Sequence, residues 1–184
     1  MKQIKKNTGK KQAVIIMNGR AGVGKDTLMD FAKNYYSVRN LSSVLRIKEA
    51  AIVAGWDGEY DNRGRQLLAD LKQAMIKYDS LSITNFIVEE YNKFRSVEQD
   101  VMFIHIREAI EIEKLKRAIP SARSVFIKRD TGFEGSVDTS EDTALEHKYD
   151  FVFDNSAPIE KSGKAFVKLI EEIRNAGVEL PLLK

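Results

Sequence analysis

The sequence AVIIMNGRAGVGKDTLMDF, residues 13–31, carries the strongest indication of the fold of this chain. Its first five residues are a short apolar run, which is typical of a parallel β-strand buried on both faces. Residues 19–25 then fit the pattern G-x-x-x-x-G-K, and a helical segment is predicted from about residue 26 to 37. A strand, a glycine-rich loop and a helix in this order are the context in which that pattern binds phosphate groups.

The loop of residues 19–27, called the P-loop below, is suited to the phosphates of a nucleotide. Its glycines let the backbone turn N–H groups toward phosphate oxygens, and the following helix adds partial positive charge at its N-terminus. Lys25 is expected to bridge the outer phosphates and to act in catalysis; the alternative is a glycine-rich turn with a chance lysine. The residues expected to bind the nucleotide here are Gly19, Ala21, Gly22, Val23, Gly24, Lys25, Asp26 and Thr27.

Asp26 departs from the usual form of the motif, in which Ser or Thr follows the lysine and ligates Mg²⁺ through its hydroxyl. Here the hydroxyl comes one residue later, at Thr27. Because a carboxylate is a hard oxygen ligand, Asp26 is predicted to hold Mg²⁺ directly or through a water molecule. The alternative is that Asp26 only places favourable charge in the first turn of the helix. Thr27 is then expected to donate to a phosphate.

The rest of the chain alternates between strand and helix patterns. Such alternation predicts an α/β fold with a parallel sheet covered by helices on both faces. Because ligands of such sheets bind outside the carboxyl ends of the strands, Arg107, Arg129 and Asn155 should gather there with the P-loop. Further strands are predicted at residues 101–106, 124–127 and 149–154, with a short one near 43–45, and helices around 46–54, 63–78, 82–94, 108–118 and 158–175.

Three blocks of sequence resemble a known family: GKDTLMDF from residue 24, HIREAIEIEKLKRAIPSARSVFIKRD from residue 105, and SEDTALEHKYDFVFDNSAPIEKSGKAFVKLI from residue 140. They are similar to the bacteriophage-type deoxynucleoside monophosphate kinases and to animal phosphomevalonate kinases, within the P-loop nucleoside monophosphate kinase group. The resemblance covers most of residues 13–175, and residues 38–95 agree only loosely. It implies a three-layer P-loop NTPase fold with a small lid, for which the polar loop 131–143 is the candidate.

The resemblance also assigns residues around the acceptor. It places Arg107 on the acceptor phosphate, with Glu111 completing an R-x-x-x-E pattern; the alternative is an ion pair between these two side chains at i,i+4. Arginine suits a site that holds two anions, because the guanidinium binds phosphate bidentately and keeps its charge. His105 stands where the family has an acidic residue that contributes to a Walker-B-like magnesium contact.

Three further residues are assigned to the site. Arg129 is expected to act in catalysis where it opens the lid-like loop, since a closing lid excludes water; the alternative is an ordinary surface arginine. Arg65 begins a strong helical pattern and is expected to bind the acceptor phosphate, or else only to start a solvated helix. Asn155 is implied to border the purine of ATP, and a turn-forming asparagine is the alternative.

Composition bounds the remaining possibilities. The chain of 184 residues fits a single domain, with residues 1–12 expected to form a flexible basic arm. With no cysteine, a disulfide scaffold and a thiolate metal site are excluded. No apolar run approaches the length of a membrane span, and no export signal is recognised, so a cytoplasmic protein is expected. The net charge of +3 suits anionic substrates but also a bland surface.

These inferences predict a kinase that uses ATP and Mg²⁺ to phosphorylate a nucleoside or deoxynucleoside monophosphate. A kinase of another phosphorylated metabolite, or a P-loop ATPase that acts with a protein partner, are the alternatives. Neither nucleic acid nor a membrane is expected as a partner, and a monomer and a homodimer are both left open. The N-K-x-D pattern with which GTPases read guanine does not occur in the sequence.

Overall fold

The computed structural model describes residues 11–129 and 147–176, and the statements below concern those residues. They form five strands and six helices. The strands are β1 (Ala13–Asn18), β2 (Val38–Ser42), β3 (Val101–His105), β4 (Arg123–Lys128) and β5 (Phe151–Asp154). The helices are α1 (Lys25–Ala32), α2 (Leu45–Val53), α3 (Asn62–Tyr78), α4 (Ser82–Arg95), α5 (Ala109–Ala118) and α6 (Ile159–Ala176).

The strands form one parallel sheet in the order β2-β3-β1-β4-β5. β1 lies at its centre, and all six of its residues are buried, as its apolar run predicts. The register pairs Met17 of β1 with His105 of β3, and Asn18 with Phe126 of β4. The carboxyl ends of β1 and β3 are therefore level, so the P-loop and the residues that follow β3 start from the same edge.

Two hydrophobic clusters lie on opposite faces of the sheet, because successive residues of a strand point to opposite sides. Ile15 and Met17 belong to the cluster that α1 and α6 cover, whereas Val14 and Ile16 belong to the cluster under α4 and α5. α6 packs closely on α1: a Cβ at Gly163 would lie 2.5 Å from the ring of Phe31. The three-layer α/β architecture expected from the sequence is confirmed.

The prediction was wrong around β2. The strand lies at Val38–Ser42 rather than near residues 43–45, and α1 ends at Ala32 although the helix was expected to reach residue 37. β2 pairs only with β3, so it is an edge strand, and Leu41 is its one buried residue. An edge strand with a single buried apolar side chain leaves no apolar run in the sequence to indicate it.

The last two residues of the expected basic arm, Lys11 and Gln12, contact the helices. The side-chain amide of Gln12 donates to the carbonyls of Phe94, Val97 and Gln99 at 2.9–3.2 Å, which ties this residue to the end of α4. The backbone carbonyl of Lys11 accepts from Arg174 Nε of α6 at 2.9 Å. The lid-like loop 131–143 and the rest of the arm lie outside the described residues. No helix in the described part is both long and apolar enough to cross a membrane.

Candidate active site at the carboxyl edge of the sheet

The P-loop turns tightly against its neighbours at two glycines with positive φ. A Cβ at Gly19 (φ +140°) would lie 2.3 Å from the carbonyl oxygen of Ile127 in β4. A Cβ at Gly24 (φ +87°), which immediately precedes α1, would lie 2.6 Å from Nδ2 of Asn155. Only glycine adopts this backbone conformation readily and leaves the space that a Cβ would need. The P-loop can therefore pack closely against β4 and Asn155, as a cradle in front of α1.

Lys25 is the first residue of α1, and its side chain folds back over the loop. Its ammonium group donates to the carbonyl oxygens of Gly19 and Arg20, the latter at 2.8 Å. A positive charge therefore lies across the mouth of the cradle, beside the backbone N–H groups that open α1. This arrangement suits an anionic group placed at the helix N-terminus.

Asp26 and Thr27 are both exposed in the first turn of α1. They offer a carboxylate and a hydroxyl, which are the hard oxygen donors that Mg²⁺ takes in proteins. The donor set thus fits the magnesium ion expected from the sequence, although in the described residues no three His, Asp or Glu side chains converge as a preformed metal cluster. Such a sparse protein contribution is usual for Mg²⁺, which is held largely by substrate phosphates and water.

His105 ends β3 near the same helix turn. Its Nε2 lies 2.9 Å from Oδ1 of Asn40 in β2. Burial lowers the pKa of His105 below 6.5; the negative charge of Asp26 opposes this shift and the positive charge of Lys25 adds to it. His105 is therefore uncharged at neutral pH, and it brings no negative charge to the position where the resemblance expects an acid.

The two arginines assigned to catalysis lie on the same edge as the P-loop. Arg107 is exposed two residues after β3, and within the described part of the chain its guanidinium makes no hydrogen bond or ion pair. Arg129 is exposed directly after β4, and its Nη1 lies 3.9 Å from the position that a Cβ of Gly24 would take. The ends of β3 and β4, on either side of β1, thus bring two exposed arginines to the edge of the sheet from which the loop starts.

Glu111 is buried rather than turned to solvent, with only 2% of its surface exposed. Its Oε1 accepts from Lys114 Nζ at 2.7 Å, and Lys114 also donates to the carbonyl of Ser80. Oε2 is buried without a hydrogen-bond partner. The ion pair between Arg107 and Glu111 that was one alternative is therefore not formed. Glu111 pairs instead with Lys114 of the same helix, and Lys114 links α5 to Ser80, just before α4.

Arg65 is exposed in the first turn of α3, where the side chain of Asp61 caps the helix by accepting from Gly64 N at 2.7 Å. Lys72, seven residues later, pairs with Glu108 in the segment after β3. Residues seven apart lie on the same face of a helix, so Arg65 shares the face that meets this segment. In the described residues no hydrogen bond or ion pair joins Arg65 to the P-loop.

Asn155 contacts the P-loop directly. Its side-chain amide is 4% exposed and donates to the carbonyl of Val23 at 2.7 Å, while its backbone N–H donates to the carbonyl of Lys128. The residue therefore fastens the loop to the carboxyl ends of β4 and β5. Its expected contact with a purine stays a prediction.

Sequence reasoning missed Asn18 and Tyr149. Asn18 Oδ1 accepts from Gly19 N at 2.6 Å, and Nδ2 donates to the carbonyl of Arg107 at 3.0 Å and to the hydroxyl oxygen of Tyr149 at 2.8 Å. A signal was present in the sequence, because Asn18 is a polar residue that closes an otherwise apolar strand, and buried polar groups require partners. The partners themselves are remote in sequence and could not be inferred.

Comparison with known proteins gives a fold and no family. No protein-family model matches the sequence, and no curated protein does. Among solved structures, dephospho-CoA kinase from Campylobacter jejuni is similar with a TM-score of 0.54 and 13% identity, over 90% of this chain and 98% of that one. The crystal structure of TT1252 from Thermus thermophilus gives 0.53 and 14%, over 89% and 98%. At these identities the likeness concerns the fold alone, and it agrees with the three-layer P-loop fold predicted from the sequence.

Proposed function

We propose that this chain transfers the γ-phosphate of ATP to a nucleoside or deoxynucleoside monophosphate. The observation that carries the proposal is the arrangement at one edge of the sheet: a P-loop cradle crossed by the Lys25 ammonium group, between exposed arginines that follow β3 and β4. The P-loop kinase fold supports the reaction class. The acceptor class comes from the sequence resemblance.

On the donor side, the P-loop and Lys25 would hold the β- and γ-phosphates of ATP. Lys25 would leave the carbonyls of Gly19 and Arg20, to which it now donates, and turn to the phosphate oxygens. Asp26 and Thr27 would supply oxygen donors to Mg²⁺ and to a phosphate. The bound magnesium ion would neutralise charge on the transferring group.

On the acceptor side, Arg107 would bind the phosphate of the nucleoside monophosphate, and Arg65 would approach it from α3. Glu111 would serve acceptor binding indirectly, by holding the first turns of α5 that follow Arg107. An acceptor phosphate is already anionic at neutral pH, so the reaction needs positioning and charge neutralisation more than a general base. Arg129 would bring positive charge to the transferring phosphoryl group.

A kinase of another phosphorylated metabolite is the second candidate. One observation favours keeping it: dephospho-CoA kinase has the same fold, so the fold does not choose a nucleotide acceptor. The helices α2, α3 and α4, which would meet the acceptor, are also the part of the chain where the resemblance is loosest.

An assay of ADP release with ATP and Mg²⁺ tests the proposal across a panel of nucleoside and deoxynucleoside monophosphates. We expect one acceptor or a small set to raise ADP release far above the acceptor-free rate, and Lys25→Ala to abolish the increase. If no nucleotide raises the rate while ATP still binds, the nucleotide acceptor is wrong. The panel would then move to phosphorylated metabolites such as dephospho-CoA.

A further inference from the structure

The side-chain amide of Asn18 joins three separate segments of the chain. It accepts from the backbone N–H of Gly19 and donates to the carbonyl of Arg107 and to the hydroxyl oxygen of Tyr149. Both amide protons are used. A reversed amide would set Oδ1 against the Arg107 carbonyl and Nδ2 against the Gly19 N–H, so the contacts fix its orientation.

Burial makes these bonds hard to exchange for water. Asn18 is 4% exposed, and a buried group that loses its hydrogen-bond partner is left unsatisfied. The amide therefore holds the backbone of Gly19 and the backbone of Arg107 at a fixed separation. Gly19 opens the P-loop, and Arg107 carries the guanidinium assigned to the acceptor. One side chain thus connects the donor half of the site to the acceptor half.

Tyr149 fixes the amide from the side of β5. Its ring packs against Phe126 and against His147, with centroid distances of 5.0 and 4.6 Å. Burial raises the pKa of Tyr149 to about 12, although the hydrogen bond from Asn18 opposes the shift. The hydroxyl therefore stays neutral across the physiological pH range and accepts from Asn18 under all the conditions in which the enzyme would work.

We propose that Asn18, braced by Tyr149, is a positioning residue that couples nucleotide binding at the P-loop to the position of Arg107. This inference rests on the proposed function, which places the acceptor phosphate on Arg107. Phosphoryl transfer requires the reacting atoms to approach to about 3–3.5 Å, and a displacement of about 1 Å costs on the order of 10²-fold in rate. Loss of the amide should therefore impair the acceptor step much more than ATP binding.

The kinetic test uses Asn18→Ala and Tyr149→Phe, each alone and combined with Arg107→Ala. Tyr36→Phe is the matched control, because its hydroxyl contacts the carbonyl of Val167 in α6, at a distance of 3.5 Å, and none of the site residues. We expect Asn18→Ala to lower kcat/KM for the acceptor about 10- to 100-fold and to change the dissociation constant of ATP less than about threefold. Tyr149→Phe should act in the same direction, by about threefold, and Tyr36→Phe should have no effect.

Coupling is read from the double variants. If Asn18 acts by positioning the guanidinium, it should matter little when the guanidinium is absent. In a protein that already carries Arg107→Ala, Asn18→Ala should therefore lower kcat/KM for the acceptor by less than about twofold. Effects that multiply independently would overturn the proposal, and so would an equal loss of ATP binding. Should Asn18→Ala fail to fold, Tyr149→Phe, which removes one hydroxyl and keeps the ring, carries the same test.

A second arm does not depend on turnover. Hydrogen–deuterium exchange of the backbone at residues 106–110 is compared with and without ATP and Mg²⁺. We expect the nucleotide to slow exchange in the wild type and in Tyr36→Phe, and to have no effect in Asn18→Ala. Equal slowing in Asn18→Ala overturns the coupling while kinase activity can stand. If ATP slows exchange as expected but no acceptor is phosphorylated, the coupling stands and the proposed function is wrong. If the protein binds no ATP, both proposals are wrong.

Discussion

The half of the molecule that carries the P-loop and the two helices α2 and α3 are packed very differently. Every residue of β1 is buried, and α6 buries five residues against the sheet and α1. In contrast, Gly64 is the one buried residue among the 17 of α3, and Val53 at the end of α2 is 89% exposed. The half with the P-loop is held by a continuous hydrophobic core, whereas α3 packs on its neighbours through a face that is only half-buried.

This difference matches the two tasks of the proposed reaction. Binding of ATP phosphates needs a rigid cradle, and the cradle is fastened by Asn155 as well as by its glycines. The acceptor would meet the segment with fewer buried contacts, and such regions open locally at lower cost. Removing a group on the loop side should therefore have a larger and more general effect than removing one on α3.

The largest contrast is expected between Lys25→Ala and Arg65→Ala. Lys25→Ala should lower kcat by about 10²–10³-fold with every acceptor, because a preorganised charge on the transferring phosphate is lost. Arg65→Ala should mainly raise KM for the acceptor, by about tenfold or less. Steady-state kinetics with both substrates varied measures each effect. An Arg65→Ala variant with the larger loss of kcat would reverse the comparison.

The loop half could be predicted from the sequence because its signals are local. The apolar run of β1, the glycine spacing and Lys25 all lie within residues 13–25 and predict a strand, a loop and a helix in order. β2 and the remote partners of Asn18 could not be predicted, since both depend on contacts between segments 63 to 131 residues apart.

A second contrast concerns stability and uses one substitution in two helices. Leu28 of α1 is fully buried, and Leu28→Ala should lower the free energy of unfolding by about 2–5 kcal/mol through the cavity it leaves. Leu68 of α3 is half-buried, so Leu68→Ala should cost about 1 kcal/mol. Urea denaturation followed by circular dichroism measures both. Equal losses would mean that α3 is as firmly packed as α1.

A third contrast, between Gly24 and Gly55, distinguishes the effect of backbone strain from the effect of a side chain that displaces a neighbour of the P-loop. Gly24 and Gly55 both have positive φ, but only a Cβ at Gly24 meets another group, Asn155 Nδ2 at 2.6 Å; nothing lies within 4 Å at Gly55. Both substitutions to alanine should cost about 1–3 kcal/mol in backbone strain. Only Gly24→Ala should also weaken ATP binding, since it displaces Asn155 from Val23. Isothermal titration calorimetry with ATP checks this, and weakened binding in Gly55→Ala as well would contradict it.

The smallest expected effect is a pH dependence of the free energy of unfolding that arises from His147. Burial lowers the pKa of His147 below 6.5, against the opposing charge of Glu113, whose Oε1 lies 3.0 Å from Nδ1. The unfolded chain therefore binds the proton more readily, and the free energy of unfolding should fall as the pH drops from about 6.5 through the folded-state pKa. His105 contributes with the same sign, so His147→Gln should flatten the dependence only in part.

The pH range of this effect distinguishes the titration of the histidines from that of the carboxylates. Glu90, whose pKa is lowered from 4.5 chiefly by the hydrogen bond from Lys93 against the opposing effect of burial, loses its stabilising contribution only as the pH falls below that value. Thermal denaturation between pH 5 and 7.5 therefore reports on the histidines. An unchanged pH dependence in His147→Gln would show that His147 is not the titrating group.

The arginines of the site illustrate the limit of sequence reasoning on the acceptor side. Arg107 and Arg129 lie at the carboxyl edge as predicted, because each comes within two residues of the end of a strand in a parallel sheet. The position of Glu111 was not foreseen: its burial and its pair with Lys114 depend on how α5 packs beside α4. Helix packing, rather than strand order, shapes the surface that meets the acceptor.

Phosphorus NMR of the reaction products distinguishes phosphoryl transfer to an acceptor from simple hydrolysis of ATP. ATP, Mg²⁺ and the acceptor that most raises ADP release are incubated with the protein, and with Lys25→Ala as the control. A kinase should give the signals of ADP together with a new pyrophosphate-linked pair from the doubly phosphorylated acceptor, and the variant should give none of them. Formation of ADP and inorganic phosphate alone, with every acceptor unchanged, would contradict a kinase and indicate a P-loop ATPase.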